Sequence, residues 1–265
     1  ASKQICATAV NRQQWLGFEG APVTTLLTVD APLSPFGVES GVGLSIVNDE
    51  IGYSSNFQLQ GVYTYRMDFW RGELGIGAGI GFINKTVDGN FEPITSDDPS
   101  IPEKDNNLSL DLAFGLYYQD KDFYLGASTS HINQPGFELN GTEVAFMRRH
   151  YFVAAGYNFQ TPVSLLELKP SVFLKSDGIS SQVSVNANVL YNKKFWGGLS
   201  YRLNDAVIAM VGLQLFNGIK IGYSYDLSIS QLGRYNQGTH EVMLGYCFDL
   251  GLNKKPEKHK SVRFL

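Results

Sequence analysis

No apolar run in this chain approaches the roughly 18 to 20 residues that a membrane-spanning helix requires. The best candidate, around Tyr151 to Tyr157, falls far short. Charge is also scarce: 17% of the 265 residues are charged, against about 25% in an average soluble protein. The balance is −4 with no basic stripe, which excludes a nucleic-acid partner. The four histidines, His131, His150, His240 and His259, have no companion at metal-ligand spacing, so no metal centre is expected. No serine occupies a nucleophile-elbow context, and the His240-Glu241 pair reads as the start of a strand at a rim rather than as acid–base machinery. The expectation is a protein that is not an enzyme and holds no cofactor. No basic-then-apolar leader opens the chain at Ala1, so an exported protein of this sequence is expected to be a processed or trimmed chain.

What the chain has in quantity is alternation. From Gln182 to Tyr191, Val183, Val185, Ala187, Val189 and Tyr191 point one way, while Gln182, Ser184, Asn186 and Asn188 point the other. The pattern recurs in Leu108, Leu110, Leu112, Phe114 and Leu116, opposed by Ser109, Asp111, Ala113 and Gly115. It recurs again in Ile219, Ile221, Tyr223, Tyr225 and Leu227, and in Val242, Leu244, Tyr246, Phe248 and Leu250. With 14 Tyr, 17 Phe and 28 glycines, this is a chain of two-faced strands with one apolar face each. A closed barrel is the one structure other than a helix that satisfies every backbone group inside hydrocarbon. The expected fold is therefore all-β, a transmembrane antiparallel up-and-down β-barrel with its small, polar, glycine-rich face turned to the lumen.

The strand pattern places crossings at 3–14, 23–33, 38–48, 54–67, 72–86, 107–119, 121–132, 146–160, 166–176, 180–192, 194–204, 205–217, 218–229 and 238–251. Fourteen is even, as an antiparallel bacterial barrel requires. The barrel then occupies 1–251 and a basic, proline-broken tail occupies 252–265. Joints after crossings 6, 10 and 12 are tight turns: Gln119 to Asp122, Asn192 to Lys194, and Phe216 to Gly218. Those after crossings 5, 7 and 13 are long: Val87 to Asn106, Asn133 to Ala145, and Ser230 to Gln237. Short joints after even crossings and long ones after odd crossings predict an outer-membrane barrel with both termini in the periplasm. Tyr117, Tyr118, Phe123, Tyr124, Tyr191, Phe195 and Trp196 flank the short turns, as an interfacial aromatic girdle or as ordinary cross-strand pairs.

Arg66, Asp111, Arg202, Lys220 and Asp226 fall on the inward face. They either line a conducting pore or ligand site, or pair with one another to fill the lumen. Cys6 and Cys247 lie near the same ends of the first and last strands, which become neighbours on closure. They either form a disulfide across that seam, in an oxidising envelope, or pack as two small apolar side chains. The tail is either solvated or available to a partner or anionic lipid.

Four segments carry a resemblance. RQQWLGFEGAPVTTLLTVDAPL from Arg12, YNKKFWGGLSYRLNDAV from Tyr191, IKIGYSYDLSISQLGRYNQGTHEVMLGY from Ile219 and the ending SVRFL together resemble the PorP/SprF family of outer-membrane proteins. The sequence departs from the family pattern before Arg12, where a segment with an Asn-Pro-Ala-like motif is absent, and in the loop from Val87 to Asn106. The resemblance implies a barrel of the type IX secretion system and gliding machinery. Its implied partners are outer-membrane lipid, a secreted adhesin or other cargo, and other components of the secretion machine. Carried onto this chain, the family-like positions are Arg12, Trp15, Gly17, Gly20 and Pro22; Phe195, Trp196, Tyr201 and Arg202; and Tyr225, Asp226, Tyr235, His240 and Glu241. They act in recognition, or as turn glycines and girdle aromatics. The expected function is a non-enzymatic barrel that anchors or helps export a surface adhesin, or docks the periplasmic machinery. The alternative is a FadL-like or porin-like channel for small or hydrophobic molecules, although the first strand begins too early to leave a lumen-plugging hatch before it. A soluble β protein is the third reading.

Overall fold

The computed structural model describes residues 4–87, 105–139, 142–162, 165–215 and 217–248. The tail at 252–265, the centre of the Val87–Asn106 joint, Phe216 and the predicted last residues of the final strand lie outside them. In chain order the first strands are β1 (Ile5–Gln13), β2 (Val23–Leu33), β3 (Ser40–Ile51), β4 (Ser54–Phe69), β5 (Gly72–Val87), β6 (Asp105–Gln119) and β7 (Phe123–Ser130). A separate two-stranded hairpin follows, β8 (Gly136–Leu139) and β9 (Thr142–Phe146). The remainder are β10 (His150–Tyr157), β11 (Phe159–Gln160), β12 (Leu166–Ser176) and β13 (Ser181–Tyr191), then β14 (Phe195–Arg202), β15 (Ala206–Gln214), β16 (Ile219–Ser228) and β17 (Thr239–Phe248). The large sheet has fifteen strands; without β11, which only flanks β12, fourteen remain. Each pairs antiparallel with the next, and β17 returns to β1 from Ile5↔Phe248 to Gln13↔His240. Among the described residues the ring has no edge strand, as a structure immersed in hydrocarbon must not.

The two faces divide as the alternation predicts. Leu108, Leu110, Phe114 and Leu116 are exposed on the outside, as are Leu199, Val211, Val242 and Leu244. Asp111 and Asp226, at 0% and 2% exposure, are buried inside. This is a soluble protein turned inside out, and an apolar exterior of this extent needs lipid to cover it.

Three details differ from expectation. Predicted crossing 146–160 is in fact β10, with Thr142–Phe146 pairing into the extra hairpin. The chain leaves β7 at His131, whose φ of 54° breaks the extended run. Short joints also occur after odd crossings: 52–53, 177–180 and 203–205. Gly52 (φ 56°), Gly178 (φ 85°) and Asn204 (φ 58°) supply the left-handed residues that such turns need. The rule survives in a weaker form, because the joints between β1 and β2, between β7 and β10 and between β16 and β17, and the strand ends Val87 and Asp105, all lie at one end. Finally, Tyr117, Tyr124 and Trp196 leave the expected girdle and point into the lumen. Trp196 lies across Gly212 and Gly222, and Tyr124 fills the space over Gly156. Tyr118 stays outside beside Phe69 and Trp70, the expected place for an interfacial ring.

Candidate functional site

At the end carrying the long joints, the first loop, 14–22, is clasped from both sides. Leu16 N–H donates to Gly238 O at 2.8 Å, and Gln237 N–H donates back to Leu16 O at 2.8 Å. Trp15 N–H donates to Thr239 Oγ1 at 3.2 Å. On the other flank, Gly52 N–H donates to Gly20 O at 3.0 Å. Gly20 has a φ of 69°, and a Cβ there would meet Gly52 Cα at 3.2 Å, so both conformation and contact call for glycine. Gly238 (φ 86°) is stricter, since a Cβ would sit 2.7 Å from the Tyr225 ring. Pro22 is buried at the loop's exit, where Gln14 N–H donates to its carbonyl at 2.9 Å.

The bracing leaves apolar side chains on top. Phe18 is 51% exposed and Tyr235 74%, and Leu16, Ile51, Tyr53 and Leu232 are exposed beside them. Loops that face water gain nothing from such residues unless something covers them. Of this set only Tyr235 is among the family-like positions. Phe18, a large aromatic inside a Gly/Pro-bounded loop, has a comparable signal in the sequence.

Beneath the loops lies an ionic node inside the barrel. Arg12 donates from Nη2 to Asp226 Oδ2 at 2.7 Å and from Nη1 to Glu241 Oε2 at 3.1 Å. Arg202 Nη1 lies 3.3 Å from the same Asp226 oxygen and 3.2 Å from Asp205 Oδ2. The node ties β1, β14, β16 and β17 together directly below the clasped loops. His240, next to Glu241 in sequence, faces outward: its Nδ1 is 2.7 Å from Tyr223 Oη, and its ring meets that of Tyr225 edge-on at 5.2 Å. His240 and Glu241 thus serve opposite faces of one strand and do not converge on a common atom.

The structure therefore gathers Arg12, Trp15, Gly17, Gly20, Pro22, Arg202, Tyr225, Asp226, Tyr235, His240 and Glu241 at one end of the barrel, with Tyr201 one residue from Arg202. Phe195 and Trp196 stand at the opposite end, where β14 begins. The lumen charges resolve into separate pairs. Asp111 receives Gln58 Nε2 at 2.9 Å and lies 3.0 Å from His131 Nδ1. Arg66 contacts Glu73 at 3.5 Å and donates to Ser40 O at 3.1 Å. Only Arg202 and Asp226 of the predicted set pair with each other. Lys220 lines an opening of about 760 Å³ at the short-joint end with Lys193 and Lys194. Cys6 and Cys247 are joined in a disulfide, opposite each other in the β1–β17 register. Among the described residues no group of His, Cys, Asp and Glu could hold a metal ion.

Residues 1–246 match the family model described as type IX secretion system membrane protein PorP/SprF. No curated protein sequence matches the chain. Among solved structures, the chain is similar to a deletion mutant of the monoaromatic hydrocarbon channel TodX, at 9% identity and a TM-score of 0.48, covering 93% of this chain and 90% of that one. It is also similar to outer membrane phospholipase A from Escherichia coli, at 10% identity and a TM-score of 0.41, covering 93% of each chain. The β domain of the Bordetella autotransporter BrkA gives 11% identity and a TM-score of 0.38, covering 92% and 98%. At these values the likenesses carry nothing about what this chain does.

Proposed function

The chain belongs to the PorP/SprF family of type IX secretion system membrane proteins, and on that premise we propose that it is a non-enzymatic outer-membrane docking barrel whose long-joint end holds a secreted surface protein. In this reading the long joints face the outside, and both termini and the basic tail lie in the periplasm, within reach of other secretion components. The observation that carries it is the braced apolar patch. Phe18, Leu16, Leu232 and Tyr235 are exposed on loops whose backbones are fixed to one another and to the barrel rim. Aromatic side chains held in place before binding lose little entropy on contact, and such residues dominate protein–protein affinity. The ionic node beneath keeps the rim that carries them rigid.

The test is the double variant Phe18→Ser with Tyr235→Ser, expressed in the native cell at normal level. One or a few surface proteins should move from the cell surface to the medium while the barrel remains in the outer membrane. A general halt of secretion would place the barrel in the core machine rather than at a cargo anchor. An unchanged surface proteome would contradict the docking role.

A further inference from the structure

The lumen is furnished unevenly. On one side Trp196 lies over Gly212 and Gly222 and fills the space above them. On the other, no ring lies over Gly75, Gly77 and Gly79 of β5, although Thr64, Gln60, Val62 and Ala113 stand 3.1–3.4 Å from where their Cβ atoms would be, and a cavity of about 450 Å³ opens against this wall. Phe152 and Phe173 line the same cavity, stacked with centroids 6.2 Å apart and planes 19° apart. Phe173 remains 38% exposed although it points inward. The slot thus has glycine backbone along one stretch of its lining and two aromatic rings along another.

We propose that this slot is a binding site for a small, neutral, flat aromatic molecule carrying one hydrogen-bond acceptor. Its volume is about three times that of a cavity which accommodates benzene, so two or three fused rings fit, and it lies in the range of small-molecule sites. The glycines add no side chain of their own to the cavity, and the phenylalanines offer stacking partners. The acceptor is called for by Gln60, whose buried Nε2 has no hydrogen-bond partner among the described residues and lines the slot. At one end Arg66 and Glu73 neutralise each other, so the slot does not select a charged ligand. A threading polypeptide fits poorly, because each residue would bring a backbone donor and acceptor that this lining cannot satisfy. The site is separate from the loop patch and does not depend on the docking reading.

The test uses 1-naphthol with the full barrel in lipid nanodiscs, with empty nanodiscs as the partition control. Saturable binding at one site per barrel is expected. Ala154→Phe, which fills the slot from β10, should weaken it at least tenfold. Gln60→Leu, which keeps the size and removes the donor, should weaken 1-naphthol about three- to tenfold and leave naphthalene unchanged. Uptake equal to that of empty nanodiscs would overturn the proposal. So would a folded Ala154→Phe barrel that binds like the wild type, and, should that variant fail to fold, a Gln60→Leu barrel with undiminished 1-naphthol affinity.

Discussion

Replacing Asp226 by asparagine should loosen the barrel rim, and the size of the effect follows from the geometry. A single Asp226 oxygen lies 2.7 Å from Arg12 and 3.3 Å from Arg202, so two guanidinium groups are held close together by one carboxylate. The Asp226 side chain is 3% exposed and those of Arg12 and Arg202 are 20% and 19%. Removing one partner of a buried pair costs about 3–5 kcal/mol. Here Arg12 keeps Glu241 and Arg202 keeps Asp205, both partly solvated. That places the loss nearer about 2–3 kcal/mol, which for a chain of this size is a fall in apparent melting temperature of about 5–10 °C. The assay is heat-modifiable gel migration together with tryptophan fluorescence in detergent, at a fixed heating rate because barrel unfolding is read as a rate. Adding Arg202→Gln to Asp226→Asn removes one of the two repelling cations and should restore about half of the loss. If Asp226→Asn melts within about 1 °C of the wild type, the carboxylate does not organise the rim and the reasoning fails.

Three other expectations can be checked with the same protein. The Cys6–Cys247 bond closes a separation of 241 residues, so in the chain-entropy model its loss costs about 5 kcal/mol; Cys6→Ser with Cys247→Ser should lower the unfolding temperature and abolish the reductant-dependent shift in gel mobility of the unfolded chain. Gly212→Ala puts a Cβ 2.3 Å from the Trp196 ring, so the indole must leave its place; a shift in tryptophan emission with about 1–3 kcal/mol of destabilisation is expected, and an unchanged spectrum would mean that the ring does not lie there. Asp120 accepts the N–H groups of Asp122 and Phe123 at 2.8 and 2.7 Å, and these bonds lower its pKa below the ordinary 3.8. A carboxylate whose folded pKa is depressed contributes stability above the unfolded value and loses it as pH falls through the folded value. The wild type should therefore lose an increment of stability on acidification below about 3.8 that Asp120→Asn does not show, as read by melting temperature against pH.

The strands were legible because side-chain alternation has a period of two and lipid demands a wholly apolar outer face. Gln182 to Tyr191 therefore reads the same way in sequence and structure, as β13. The same alternation could have turned Trp196 inward, since it shares a face with Gly198, Ser200 and Arg202. Proximity to the Asn192–Lys194 turn instead suggested a girdle residue. The partners of the lumen charges were not legible. Asp111 meets Gln58 and His131, 53 and 20 residues away in sequence, across neighbouring strands whose register no local pattern encodes. The Cys6–Cys247 pair could be foreseen because barrel closure brings the first and last strands together. The loop patch was half visible: the glycines and Pro22 stood out, while Phe18 becomes meaningful only once the loop is seen clasped between Gly52 and Gly238.

Photocrosslinking in living cells from benzoylphenylalanine placed at Tyr235, with the same group at Lys193 on the opposite end as the comparison, reads directly whether the long-joint end holds a secreted protein. A covalent adduct between the barrel and a secreted surface protein is expected from position 235 and none from position 193. Adducts with secreted protein from position 193 alone, or none from position 235 in cells that secrete normally, would contradict the docking role.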